Sequence, residues 1–337
     1  MHLNEISDKT LSVGVPAYNQ GEYLRTTLDS LLTQTVAPLE IVVSDNHSTD
    51  ETADILKEYQ GRVRVIKPVA HLDMMAHWNF LVSNLNGEWF SLLSSDDLAK
   101  PNFVEVLLRG IERSEAAVLI RCGWETIDSE GRLIEVRHLL SVKAITSPPD
   151  TLYEQLRGPK VSFAAFAVRK SAWEKVSGFP EECTLVGDWG LWLKFSPLGN
   201  FVREMKIISQ YRTDYRPVLQ KKRTVAWLKD ELIISTKIIP GAARQMHLVD
   251  LRQIDKAREQ RFFQCIKLAS QHLDASDRDD AISVFKAWAS ELGLRLNNNR
   301  NWNKFVTGKK IKEATFLKYI KSICRNIYCW LRQLNNA

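Results

Sequence analysis

The first hundred residues alternate two hydrophobic periods, and this alternation restricts the fold more than any other feature. Leu11-Ser12-Val13-Gly14-Val15 is an apolar run closed by Pro16, and Glu40-Ile41-Val42-Val43-Ser44 is a continuous β-branched one. Both read as strands buried on two faces. Between them, Tyr23 to Thr33 places Leu24, Leu28, Leu31 and Leu32 on one helical face. Asp50 to Tyr59 reads as a second helix, with Ser48 or Thr49 available to cap it, and Val63 to Ile66 as a third strand. Met74 to Leu85 reads as a third helix and Trp89 to Leu93 as a fourth strand. Strands separated by helices of this length imply right-handed crossovers and an α/β, doubly wound, mostly parallel sheet.

In such sheets ligands bind beyond the carboxyl ends of the strands. The polar residues of this half collect there: Pro16-Ala17-Tyr18-Asn19 after the first strand, Asp45-Asn46-His47-Ser48 after the second, and Ser95-Asp96-Asp97 after the fourth. Paired acids at a strand end repel each other. A cation or polar ligand between them relieves that repulsion, although an Asp capping the helix that opens at Pro101 gives the same sequence. No Gly-x-Gly-x-x-Gly and no Gly-Lys-Ser/Thr loop is present, which argues against a dinucleotide site or a P-loop.

Composition narrows the class. The chain has 337 residues, 45% hydrophobic and 26% charged, without a membrane-length apolar run. Its start lacks the features of a signal peptide, so the expected location is the cytosol. Five scattered cysteines form no metal-ligand pattern and read as reduced packing residues. The formal net charge is +6, yet from Asn301 to Ala337 eight bases face one acid, Glu313, so the rest of the chain is nearly neutral. Basic residues confined to one terminal helix argue against nucleic-acid binding.

The three loops, in this order, resemble the family 2 glycosyltransferases and their nucleotide-diphospho-sugar-binding GT-A fold. Val13-Gly14-Val15-Pro16-Ala17-Tyr18-Asn19 resembles the family's opening strand. Ile41 to Thr52 is similar to its nucleotide loop, and Asn86-Gly87-Glu88-Trp89 leads into its acidic metal motif. The likeness is close over about residues 10–110 and looser to about 216. It implies a GT-A domain over 1–219, with a nucleotide-sugar half of about 1–115 and an acceptor half of about 116–219. A C-terminal helical region would occupy 220–337.

The resemblance also implies roles. Asp45 would accept a hydrogen bond from the nucleotide base, with Pro16, Ala17, Tyr18 and Asn19 lining base or ribose. Asp97 would bind Mn²⁺ or Mg²⁺, Asp96 would contact ribose or donor sugar, and Asn79 would belong to the donor site. Asp188, at the head of the Trp189-to-Phe195 helix, would be the catalytic base, and Arg212 or Arg216 would bind phosphate. The departures are Ser94, Gly187 and Gly190 where relatives often carry acids, and His71-Leu72-Asp73 and Ala76-His77-Trp78-Asn79 where relatives often carry Asn-x-Gly and Ala-Arg-Asn; at the latter, Asp73 and His77 are local substitutes, or a helix cap and a surface histidine.

The implied activity is inverting, metal-dependent transfer of a sugar from a nucleotide-diphospho-sugar, with a UDP-linked donor expected, to a saccharide or lipid-linked saccharide in bacterial surface polysaccharide synthesis. A sugar-phosphate nucleotidyltransferase and a non-catalytic nucleotide-sugar binder are the alternatives. Val118 to Cys122, Leu133 to Val136 and Val161 to Phe166 read as further strands. Leu139 to Lys160 is expected to border the acceptor. Val225 to Ile239, Leu251 to Leu273, Asp279 to Leu292 and Ile311 to Leu334 read as helices. The last, apolar on one face and basic around the rest, suits either packing on the domain or peripheral contact with the inner face of the plasma membrane.

Overall fold

The computed structural model describes residues 9–213, 224–273, 275–296 and 299–308. Ten strands form one mixed sheet: β1 (Leu11–Ala17), β2 (Glu40–Asp45), β3 (Arg64–Ile66), β4 (Trp89–Leu92), β5 (Leu98–Ala99), β6 (Ala117–Ile127), β7 (Leu133–Arg137), β8 (Ile145–Thr146), β9 (Phe166–Arg169) and β10 (Asn200–Arg212). Their main order is β3-β2-β1-β4-β9-β6-β10-β5, with β7 beside β6 and β8 beside β10. The pairs β3–β2–β1–β4 are parallel, as the helix-linked sequence pattern requires. Antiparallel β9 then joins β4 to β6, and β10 runs parallel to β6.

Side-chain alternation divides the interior. Leu11, Val13, Val15, Ile41, Val43 and Trp89 point into one core, which α1 (Gly21–Leu32), α2 (Thr52–Glu58) and, further along, α4 (Phe103–Glu112) cover. Val42, Phe90 and Leu92 point into the other. That face is covered by α3 (Met74–Ser83), α5 (Asp150–Gln155), α7 (Gly187–Phe195) and the C-terminal helices; the short α6 (Lys170–Lys175) follows β9.

The C-terminal layer starts with α8 (Thr224–Ile233), which passes through a π-helical turn at Ile234–Ile238 into α9 (Ile239–Ala243). There follow α10 (Leu251–His272), α11 (Arg278–Glu291) and α12 (Arg300–Val306). Rings bind the last three together: Phe262 meets Trp288 edge-on at 5.3 Å, and Phe285 meets Phe305 at 5.2 Å. Trp227, Phe262, Trp288 and Phe305 share one core with Trp189 and Trp192 of α7.

Several expectations shift. The strand read at Val161 to Phe166 begins only at Phe166, because Ser162 and Phe163 lie in a buried turn whose Ser162 carbonyl accepts from Ala165 N. Helix α2 has Glu51, not Ser48 or Thr49, at its cap position, while the Asp50 carboxylate accepts from the N–H groups of Thr52 and Gly21. Helices α5 and α12 lack a recognised sequence signal. Cys122, Cys183 and Cys265 are buried. Among the described residues no helix is long and apolar enough to cross a membrane. The basic helix expected at Ile311 to Leu334, Arg216, Cys324 and Cys329 lie outside the described residues.

Candidate active site

The loops after β1, β2 and β4 are tied to one another before any ligand is considered. Asn46 N donates to the Ala17 carbonyl at 2.9 Å, and Asn19 N donates to Ser48 Oγ at 3.0 Å. Asn19, held at a φ of 50°, accepts from Thr49 N through its side-chain oxygen at 2.8 Å. Thr27 Oγ in α1 donates to the Ser95 and Asp97 carbonyls, fixing the acidic turn from below. Backbone groups that bulk water would otherwise serve are thus satisfied internally.

These loops enclose a cavity of about 450 Å³, within the usual range for small-molecule sites. Pro16, Ala17 and Tyr18 form one wall, with the Tyr18 ring 4.7 Å from that of His71. Asn46 and Asp96 stand at the strand ends, and Asp73, Met75 and His77 of the α3 segment close another side. The remaining wall comes from Glu181 and Cys183 to Leu185, which lead into α7, and from Ala226 of α8. Asp73, Asp96 and Glu181 line this space, and among the described residues no Lys or Arg does.

The neighbouring Asp96 and Asp97 have separate fates. Asp96 lines the cavity. The carboxylate of Asp97 does not: it is fully buried and accepts from Arg212 N at 2.8 Å. The cause is the strand that follows, since β5 pairs antiparallel with β10 and draws Asp97 against the end of β10. Burial, reinforced by the Asp96 charge and opposed by Arg212, pushes the Asp97 carboxyl well above the usual carboxylate range. As the expected metal ligand, Asp97 is thus set behind Asp96 rather than on the cavity wall, with its Oδ2 left without a hydrogen-bond partner among the described residues.

Three other expected donor contacts are internal braces. Asn19 is occupied as described above. Asn79 donates to the Phe179 carbonyl and to Glu181 and accepts from Phe179 N, clamping α3 to the turn at Gly178. Gly178 has a φ of +72°, and a Cβ there would sit 2.4 Å from the Asn79 oxygen. Arg212 spends its guanidinium on the carbonyls of Asp96, Asp128 and Ser129 and stacks 4.4 Å over Tyr23. Asp45 is nearly buried, accepting from Ser48 N at 2.9 Å and from the half-exposed Lys67 ammonium at 3.2 Å. His77 is not a surface residue: it is buried, bonded to Ser44 Oγ, and burial lowers its pKa to about 4.

Asp188 stands in the first turn of α7, 5% exposed, three residues after Leu185 of the cavity wall. Its Oδ1 accepts from Trp189 N at 2.7 Å. Burial, with a smaller contribution from Asp230, raises its pKa to about 7. A carboxyl tuned to that range suits proton transfer near neutrality. A Cβ at Gly187 would fall 2.1 Å from Met75 Sδ, so a side chain there would require Met75 to move.

Sequence reasoning missed Asp230, which is 1% exposed on α8. Its carboxylate accepts from the N–H groups of Thr184, Leu185 and Val186, the residues leading into α7. One residue on, Glu231 forms a buried ion pair with Arg261 of α10, whose guanidinium lies 5.3 Å over Trp189. The C-terminal helices therefore hold both the start of α7 and the ring next to Asp188. No sequence signal marked Asp230, since an acid in a helix ordinarily faces water.

Known proteins are similar to this chain in sequence and in fold. Residues 12–175 match the model of the family described as Glycosyl transferase family 2. Among curated relatives, a hyaluronan synthase of Pasteurella multocida is 28% identical over 212 residues, covering 61% of this chain and 20% of that protein. A chondroitin synthase of Escherichia coli is 30% identical over 202 residues, covering 58% of this chain and 28% of its own. The chain thus spans between a fifth and under a third of the length of these relatives. A crystal structure of S. aureus TarS in complex with UDP superposes with a TM-score of 0.65 at 16% identity, covering 96% of this chain and 90% of that one. This likeness shows a shared fold, the C-terminal helices included.

Proposed function

We propose, from a domain over residues 12–175 that belongs to glycosyl transferase family 2, that the chain transfers a sugar from a UDP-linked donor to a saccharide acceptor. The product would be a polysaccharide, by analogy with the hyaluronan and chondroitin synthases it is similar to. UDP is favoured because the neighbour of like fold was crystallised with UDP and with UDP-GlcNAc. The observation that carries the reading is the cavity itself. It stands where β1, β2 and β4 end, it has Asp96 on its wall, and its far side runs into the turn bearing Asp188.

A diphosphate cannot enter a space lined by Asp73, Asp96 and Glu181 without compensating positive charge. Asp96 is a hard oxygen ligand of the kind Mn²⁺ or Mg²⁺ prefers. Among the described residues no three His, Cys, Asp or Glu side chains gather to hold an ion, so diphosphate oxygens and water would complete its shell. Once bound, the cation offsets the charge growing on the departing diphosphate. The metal-holding role passes from Asp97 to its neighbour Asp96, and Asp97 with Arg212 becomes the brace that fixes the acidic turn.

The protein's own groups do the rest. Tyr18 and His71 provide an aromatic wall for the base, and Asp45 is the candidate acceptor for its N–H once Lys67 turns aside. Asp188 takes the proton of an acceptor hydroxyl while that oxygen bonds to the anomeric carbon. The bond from this carbon to the phosphate oxygen breaks with its electrons going to UDP, and attack opposite the leaving group inverts the centre. Burial keeps Asp188 basic enough for this near neutral pH. Calorimetric titration with UDP tests the reading: binding should be strong with Mn²⁺ and at least tenfold weaker in chelator. UDP binding indifferent to Mn²⁺ would remove the metal-bridged donor site.

A further inference from the structure

A second cavity, of about 480 Å³, lies between the α5 segment and α10. Ser141, Tyr153, Glu154, Arg157 and Lys160 line one side, and Gln253, Lys256 and Gln260 line the other. The last three occupy successive turns of one face of α10, so the face is built by helical period. Arg157 and Lys256 are exposed and Lys160 is half-buried. Among the described residues none of the three cations forms an ion pair. Their acidic neighbours are already engaged: Glu154 is bound by the buried Arg121 at 2.6 Å, Asp150 by Lys143 and Asp255 by Arg258. Glu259 lies off the lining face of α10. The cavity is therefore left cationic, with a serine and two amides to meet hydroxyl groups.

Its position connects it to the reaction centre. Trp189, next to Asp188, donates from its indole to the Gln155 carbonyl at 3.0 Å, and Arg261 stacks on the same ring at 5.3 Å. Gln155 adjoins the lining residues Glu154 and Leu156, and Arg261 adjoins Gln260. Both walls thus meet at the side chain beside the base.

We propose that this cavity is an acceptor subsite that holds an anionic saccharide segment, through its carboxylate or phosphate, away from the reacting hydroxyl. The assignment rests on the glycosyl-transfer reading. Cations recognise the charge, and Ser141, Gln253 and Gln260 recognise the hydroxyl groups, a combination suited to a charged sugar polymer.

Two probes separate the sources of charge: an oligosaccharide of alternating hexuronate and N-acetylhexosamine, and a glycerol-phosphate oligomer. Each is titrated into the whole chain and into the double variant Arg157→Glu, Lys256→Glu, at low and high salt. The expected result is that at least one probe binds the parent chain, weakens with salt, and loses tenfold or more affinity in the variant. A carboxyl-reduced form of the hexuronate oligomer should bind no better than the variant binds its charged parent. Failure of both probes to bind, or equal binding by parent and variant, overturns the subsite. UDP with Mn²⁺, titrated in parallel, should bind parent and variant alike and shows that the variant is folded. Loss of UDP binding by the parent chain would instead remove the donor reading, and the anion titrations would still decide the subsite.

Discussion

The two cavities have nearly equal volume and opposite charge. The donor cavity at the strand ends, about 450 Å³, is lined by Asp73, Asp96 and Glu181. The one beside α10, about 480 Å³, is lined by Arg157, Lys160 and Lys256, its single acid neutralised from behind by Arg121. An anion enters the second directly and needs a cation to enter the first. In the proposed reading, that difference separates a site where an exchangeable ion would offset leaving-group charge from one where fixed charges only hold. The start of α7 connects them through its neighbours: Asp188 follows Leu185 of the donor wall by three residues, and Trp189 contacts Gln155 and Arg261, each next in sequence to a residue lining the other.

The sharpest break of this picture is at Asp188. Asp188→Asn should lower transfer by about 100- to 10,000-fold, the usual range for a general base, while UDP binding with Mn²⁺ stays as in the parent. Turnover measured with a nucleotide-sugar panel checks it, and near-parental turnover would strip Asp188 of its role. Next comes the acid that distinguishes the first cavity. Asp96→Ala should cost at least about tenfold in UDP affinity with Mn²⁺ and make the remaining affinity insensitive to chelator, each lost charge-assisted contact being worth roughly 1.5–3 kcal/mol. A variant still answering to Mn²⁺ would return the metal site to another residue.

The segment that leads from the first cavity into α7 can be loosened at Asp230. Asp230→Ala leaves three N–H groups before α7 without their acceptor, a loss of about 2 kcal/mol or more by denaturant unfolding. An unchanged midpoint would mean the C-terminal layer does not hold α7.

A further effect concerns pH. The Asp188 carboxyl is raised to about 7 in the folded chain, against about 3.9 for an unfolded aspartate. The folded state therefore binds the extra proton between these values. The contribution of Asp188 is whole below about pH 4 and fades as pH rises through about 7. Asp188→Asn should accordingly melt higher than the parent above neutral pH, with the gain shrinking toward acid. A gain that grew in acid would place the carboxyl in a wetter setting.

Much of the nucleotide half was legible. Strands β1, β2 and β4 and the three polar loops follow from hydrophobic period and turn chemistry, which are local. The acidic turn was legible as a turn, but the choice between Asp96 and Asp97 was not. Asp97 is withdrawn by Arg212, 115 residues away, and no local pattern encodes that pairing. Asn79 looked like a ligand contact and proved to be a clamp on a loop 100 residues further on. The apolar run at Val161 to Phe166 looked like a strand because a fully buried turn needs the same residues.

By itself, the sequence determined the alternating sheet and helix order, the placement of polar loops at one edge, and the aspartate that heads α7. These depend on contacts within a turn or two of the chain. Tertiary structure alone decided which acids line the cavity and which brace its walls, that Asp188 is buried enough to hold a proton near neutrality, and that the C-terminal helices support it. Exposure and field at a carboxylate are sums over whatever the fold packs around it, and those neighbours come from anywhere in the chain.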